Sequence, residues 1–206
     1  MISRQCGVAV LLLLLVPVVA WAGDPAPLVL VRQTTDRMIA ALEKDSKEID
    51  TNPERLYELV DEIVLPHFDF ERMSKLVLGK YWRQASADQR SRFTSEFRTL
   101  LVRTYATSMK EYSDQKITFL PVDMTDSDTD VTVKTEVEQS AGFPVPIDYT
   151  LYLKDGEWKV YEVAVDGVNL VINYRTSFAA EIRKPGGIDA LIDTMSKRNR
   201  QAMHES

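Results

Sequence analysis

The chain has 206 residues, 45% of them hydrophobic and 27% charged, with a formal net charge of −6. That length and composition predict one domain with a sizeable core, and they exclude an intrinsically disordered chain or a multi-spanning membrane protein. An acidic balance without a basic tract also argues against nucleic acid as a partner.

Residues 1–22 have the three parts of a secretory signal. Arg4 is their only charge, the run from Val8 to Val19 is apolar apart from Pro17, and Ala20-Trp21-Ala22 forms a small-x-small cleavage site before Gly23. The run falls short of the ~20 residues that comfortably span a bilayer, so cleavage is expected rather than anchoring. Cys6, the single cysteine, precedes the apolar run and leaves with it. The exported chain is then expected to lack the residue that disulfide frameworks, thiol nucleophiles and thiolate metal sites require. The expected organisation is a signal over 1–22, a single domain over 23–196 and a flexible polar tail over 197–206.

From Leu28, apolar positions at Val31, Met38, Ile39, Leu42 and Ile49 recur at helical steps and predict a first amphipathic helix. Asn52-Pro53-Glu54 reads as N-cap, first-turn proline and early acid of a second helix, which carries Leu56, Leu59, Val60, Ile63 and Val64 and ends at Pro66. Asp69 is placed to cap a short third helix through Phe70, Met73, Leu76 and Val77, with Gly79 at its end. Ser86-Ala87-Asp88-Gln89 is a capping box opening the longest helix, whose face runs Phe93, Phe97, Leu100, Leu101, Tyr105 and Met109, widened by Val102 and Tyr112.

After Asp114 the period falls to two. Ile117 and Phe119 begin one strand, Val131, Val133 and Val137 alternate with polar residues in a second, and Val145 to Leu153 form a third. Asp155-Gly156 makes a tight hairpin turn into a fourth strand from Trp158 to Val165. The helical period returns with Leu170, Val171, Tyr174, Phe178 and Ile182, breaks at Pro185-Gly186-Gly187, and resumes briefly through Ile188, Leu191, Ile192 and Met195. Helices followed by antiparallel strands predict an α+β fold with helices packed on one sheet face.

Catalytic motifs are sparse. The two histidines are His67 and His204, so a triad or a multi-histidine metal site would have to be built around His67. His67 and Asp69 fall in the bend Pro66-His67-Phe68-Asp69, which reads as a polar bend with a helix cap. Counting Asp126 as the first position of a calcium loop, Val131 stands where glycine is required and Val137 where the bidentate glutamate belongs, so Asp123, Asp126, Asp128 and Asp130 read as a solvated loop. The many large apolar side chains are consistent with a filled core, and spacing does not tell a filled core from a cavity.

The stretch Leu65-Pro66-His67-Phe68-Asp69-Phe70-Glu71-Arg72-Met73, continued by Leu78-Gly79-Lys80-Tyr81-Trp82-Arg83 and Gln89-Arg90-Ser91-Arg92-Phe93, resembles the MlaC or toluene-tolerance family. Arg103-Thr104-Tyr105-Ala106 fits that family's long helix. Gly156-Glu157-Trp158-Lys159-Val160-Tyr161-Glu162-Val163 is similar to its G-x-W-K-V-Y-D-V strand, and Gly167-Val168-Asn169-Leu170-Val171 with Tyr174-Arg175 and Phe178 is similar to its closing segment. Glu162 and Asn169 are mild departures. The resemblance runs in order from about Leu28 to Ile192.

What the resemblance implies is an NTF2-like α+β fold around a lipid-tail cavity and a periplasmic carrier of glycerophospholipid that maintains outer-membrane lipid asymmetry. The implied partners are an outer-membrane lipoprotein-porin complex and an inner-membrane ABC transporter bearing MCE domains. It implies no catalytic residue, no metal and no cofactor beyond the phospholipid cargo, and a monomer is expected. On inward phase and size, the expected tail contacts are Val77, Tyr81, Phe97, Leu101 and Tyr105 from the helices, Ile147, Tyr149, Leu151, Tyr161 and Val163 from the sheet, and Leu170, Tyr174 and Phe178 from the closing helix. Arg103 and Arg175 are the expected headgroup partners, with ordinary surface ion pairing as the competing reading. Two alternatives stay open: a small-molecule enzyme using Asp148 or Glu162 in such a cavity, and a periplasmic chaperone for apolar peptide segments.

Overall fold

The computed structural model describes residues 24–111, 115–139 and 142–204. The expected signal over 1–22, Tyr112 and the last two residues of the expected tail lie outside the described residues.

Helix α1 (Ala26–Lys44) and the short α2 (Ser46–Thr51) divide the first predicted helix at Asp45. Asn52 was expected to cap the next helix. Its backbone N–H instead closes α2 by donating to Glu48 at 2.7 Å, and Pro53 takes the N-cap place of α3 (Glu54–Leu59). The chain then widens into a π-helical turn (Val60–Val64) and tightens into a 3₁₀ turn (Leu65–His67). The helical run ends close to Pro66, as expected: it goes one residue further, to His67, and Phe68 is extended.

Asp69 caps α4 (Phe70–Leu78), accepting from the Arg72 N–H at 2.9 Å, and Gly79 ends it with φ 53°. After α5 (Lys80–Gln84), the Ser86 and Gln89 capping box closes reciprocally at 2.9 and 3.1 Å and opens α6 (Ala87–Glu111).

Five strands follow as an antiparallel meander in chain order: β1 (Ile117–Phe119), β2 (Asp130–Val137), β3 (Val145–Lys154), β4 (Glu157–Val165) and β5 (Val168–Asn169). Asp155-Gly156 and Asp166-Gly167 both hold positive φ at both positions, the backbone of a two-residue hairpin turn. The second of these turns adds β5, which the period did not reveal. Helix α7 (Leu170–Ile182) is capped by the Asn169 side chain, which accepts from the Ile172 N–H at 3.1 Å.

The last helix, α8 (Gly187–His204), continues past Lys197, where a loose tail was expected. The reason lies at Asn199, which is 4% exposed and donates to the Glu96 carbonyl at 3.0 Å and to its carboxylate at 2.7 Å. Those bonds dock the end of α8 onto α6.

Three packed regions result. One is built from α4 to α8 around Phe93, Phe97 and Phe178; another joins α1, α2, α3 and the π turn to Ala106 of α6; the third sets Leu28 and Val31 of α1 on Val133, Leu151 and Val160 of the sheet. Phe68 packs against all three and makes a parallel bridge to Val160 at the edge of β4.

Candidate functional site

Between these regions the helices and the sheet fail to meet, leaving a cavity of about 370 Å³. Val31, Thr35, Met38 and Leu42 of α1 form one wall, continued by Val60, Val64 and Leu65 of the π turn and its exit. Leu101, Val102, Tyr105 and Ala106 of α6 form another. The sheet contributes Ile117, Thr135, Val137, Ile147, Tyr149, Val160, Val163 and Val165, and Leu170 opens α7 at the end. The wall is apolar except for a few hydroxyls and the imidazole of His67.

A β-bulge decides which sheet residues reach this space. Tyr149 pairs with Val163 and Thr150 with Glu162, but Leu151 pairs with Val160, so Tyr161 is an extra residue in β4. Strict alternation would put Tyr161, Val163 and Val165 on one face. The bulge keeps Val163 and Val165 inward, turns Val160 inward as well, and expels Tyr161.

Outside the cavity, Tyr161 donates to Asp130 at 3.0 Å, meets the Tyr152 ring edge-on and carries the Arg72 guanidinium 3.7 Å above its ring. The loop acid Asp130 is thereby used in this cluster, and Asp128 closes its own turn by accepting from the Thr125 N–H at 2.7 Å.

Six of the thirteen residues nominated for the tails therefore line one space: Leu101, Tyr105, Ile147, Tyr149, Val163 and Leu170. Val77, Phe97 and Phe178 are buried in the closed cluster of α4 to α8, with Tyr81 and Tyr174 packed against it. Leu151 is fully buried beneath α1. Sequence reasoning missed the contribution of α1 and the π turn; their apolar faces were visible, but periodicity does not say whether a face meets a neighbour or a void.

Neither nominated arginine lines the cavity. Arg103 belongs to a separate polar cleft between α3 and α6, where its guanidinium lies 5.4 Å from the Tyr57 ring and one of its nitrogens is buried with no hydrogen-bond partner among the described residues. Arg175 lies over Gly79, its guanidinium 3.2 Å from where a Cβ would stand. Asp148 and Glu162 fall on the opposite phase from Tyr149 and Val163 and do not line the cavity either.

The cavity's electrostatics follow from its apolar lining. Burial pushes the Tyr149 hydroxyl up to about 12, against a hydrogen bond with Thr135 that acts the other way. Tyr105 is also pushed up to about 12, by burial and by its hydroxyl contact with Tyr174. Both tyrosines are thus neutral at any physiological pH. A wall of aliphatic side chains and uncharged hydroxyls offers dispersion contacts and little else, which suits a hydrocarbon occupant.

A family model described as MlaC protein matches residues 32–197. The chain belongs to the MlaC family. It is 32% identical over 165 residues to the toluene tolerance protein ttg2D of Pseudomonas putida, covering 79% of this chain and 76% of that one. It is 29% identical over 178 residues to the intermembrane phospholipid transport system binding protein MlaC of Haemophilus influenzae, covering 85% and 83% respectively. Among solved structures, it resembles a phospholipid-binding protein from Ralstonia solanacearum in complex with a phospholipid, with a TM-score of 0.79, 30% identity, and coverage of 88% of this chain and 99% of that one. The MlaC resemblance read from the Leu65–Phe93 and Gly156–Phe178 segments thus agrees with the family match, and the α+β architecture agrees with the structural one.

Proposed function

We propose that this protein carries glycerophospholipid across the periplasm with the acyl chains held in the cavity between α1, α6 and the sheet. The observation that carries the reading is the cavity itself: about 370 Å³ of space walled by apolar side chains from helices and sheet alike. Its membership of the MlaC family and its likeness to a phospholipid-bound structure support the same occupant.

Energetics favour such a carrier. A diacyl lipid has on the order of 30 tail methylenes, and exposing them to water costs about 24 kcal/mol at ~0.8 kcal/mol each. Transfer from bilayer to an apolar cavity avoids nearly all of that cost, so the carrier itself needs neither ATP nor a catalytic group. The lipid is exchanged with an outer-membrane lipoprotein-porin complex on one side and an inner-membrane ABC transporter with MCE domains on the other. The enzyme alternative gains no support from the cavity wall, whose titratable side chains are two high-pKa tyrosines and His67.

Transfer of a fluorescent phospholipid from donor to acceptor vesicles tests the reading. The expected result is a rate that rises linearly with protein concentration; a rate equal to that without protein overturns it.

A further inference from the structure

His67 is the residue of the cavity wall that an apolar occupant does not explain. Its side chain is half-buried and lines the cavity, yet among the described residues its imidazole has no hydrogen-bond or ion-pair partner. Two cations on different elements act on it through space. Lys159 of β4 donates from Nζ to the carbonyl of Pro66, the preceding residue, at 3.0 Å. Arg37 of α1 is exposed, stands three residues after the cavity-lining Thr34, and also makes no ion pair or hydrogen bond among the described residues. Among the described residues, the carboxylate that acts on it is Glu157, which is 71% exposed and pairs with Lys159 at 2.7 Å. Among the described residues, the apolar lining thus includes one unpartnered imidazole, with an unpaired guanidinium and an ammonium paired to an exposed carboxylate acting on it.

We propose, resting on the carrier reading above, that His67, Arg37 and Lys159 form the headgroup subsite, where the lipid's phosphodiester accepts a hydrogen bond from the imidazole and lies between the two cations. Both ring nitrogens of His67 are available, and a phosphodiester brings the single negative charge that the surroundings lack. Within the protein itself, burial, Lys159 and Arg37 all lower the His67 pKa, and only Glu157 opposes them. A bound phosphate oxygen reverses that balance, so the histidine takes up its proton more readily when the lipid is present.

The chain has two histidines, so each can be followed by NMR in the intact protein, with His204 as reference. The protein is loaded from vesicles containing either phosphatidylglycerol or a diacylglycerol with the same acyl chains. The expected result is a His67 titration midpoint higher by about one pH unit with phosphatidylglycerol than with diacylglycerol. In Arg37→Gln, and in the Arg37→Gln/Lys159→Gln double variant, the preference for phosphatidylglycerol over diacylglycerol falls about three- to tenfold while diacylglycerol uptake is unchanged. Arg37→Gln touches an exposed residue without a partner among the described residues and serves if the double variant loosens the Pro66 turn.

Equal midpoints with both lipids, or an unaltered preference in a folded variant, overturns the subsite and leaves the carrier reading intact. A midpoint that responds to inorganic phosphate but not to phosphatidylglycerol assigns the site to a free anion and also overturns the proposal. Uptake of neither lipid overturns the carrier reading, and the subsite with it.

Discussion

Lys154, at the far end of β3, donates to the carboxylate of Asp69 across 2.7 Å, so the strand is tied to the residue that begins α4. Asp69 is 7% exposed and also accepts from the Tyr152 hydroxyl and the Arg72 N–H. It performs two tasks with one side chain, capping a helix and clamping the Phe68 segment to the sheet.

Burial alone would raise the Asp69 pKa, but the hydrogen bonds from Lys154, Tyr152 and Arg72 outweigh it and hold the carboxyl below its ordinary value. A depressed folded pKa contributes stability that is complete above the unfolded value, near ~3.9, and is lost as pH falls through the folded one. Asp69→Ala is expected to cost about 2–4 kcal/mol at neutral pH. Asp69→Asn retains the cap and costs less, and its urea midpoint falls less steeply than the parent's between about pH 5 and pH 3. Parallel pH slopes for parent and Asp69→Asn would contradict this account.

Phe97 has no exposed surface, stacks on Phe93 at 5.7 Å and meets Tyr174 and Phe178 edge-on. Phe97→Ala is expected to lower stability by about 3–5 kcal/mol, as a cavity opened in a closed core does. Lipid bound per folded molecule should change less than about twofold, since the ring does not line the lipid cavity. Chemical denaturation and lipid extraction of the same preparation check both halves.

Leu101 lies one turn further along α6 and does line the cavity. Leu101→Gln brings an unpaired amide into an apolar wall, and lipid occupancy is expected to fall about tenfold while the circular dichroism spectrum is retained. Thr104→Gln, at an exposed position on the same helix, is the control and should leave occupancy unchanged.

The end of α8 should matter to stability. Asn199→Ala removes two hydrogen bonds to Glu96 from a buried position and is expected to cost about 1–3 kcal/mol, a Tm lower by several degrees for a domain of this size. Ending the chain after Ser196 should cost at least as much. An unchanged Tm in both would mean that the last turns of the helix do not dock in solution.

Local signals carried most of the fold. The Ser86 and Gln89 box, the Asp69 cap and the Asp155-Gly156 turn each specify a boundary by chemistry within four residues, and each forms as read. Features that depend on distant contacts were not legible. No residue type announces the bulge at Tyr161, whose place is set by Arg72 and Asp130. No residue type announces the π turn at Val60–Val64 either, although it aims Val60 and Val64 into the cavity. Along α6 a single apolar face serves two purposes, sealing a core at Phe93 and Phe97 and lining a void from Leu101 onward. Helical phase gives the direction of a side chain, and only the packing of α1 against the sheet determines whether the space it points into is filled.

The central claim is that the cavity holds phospholipid, and native mass spectrometry of the protein purified without detergent, followed by organic extraction of what is bound, tests it most directly. The account predicts phospholipid at near-integral stoichiometry in the parent and a largely empty Leu101→Gln variant. A folded parent that carries no lipid and takes none from vesicles would contradict it.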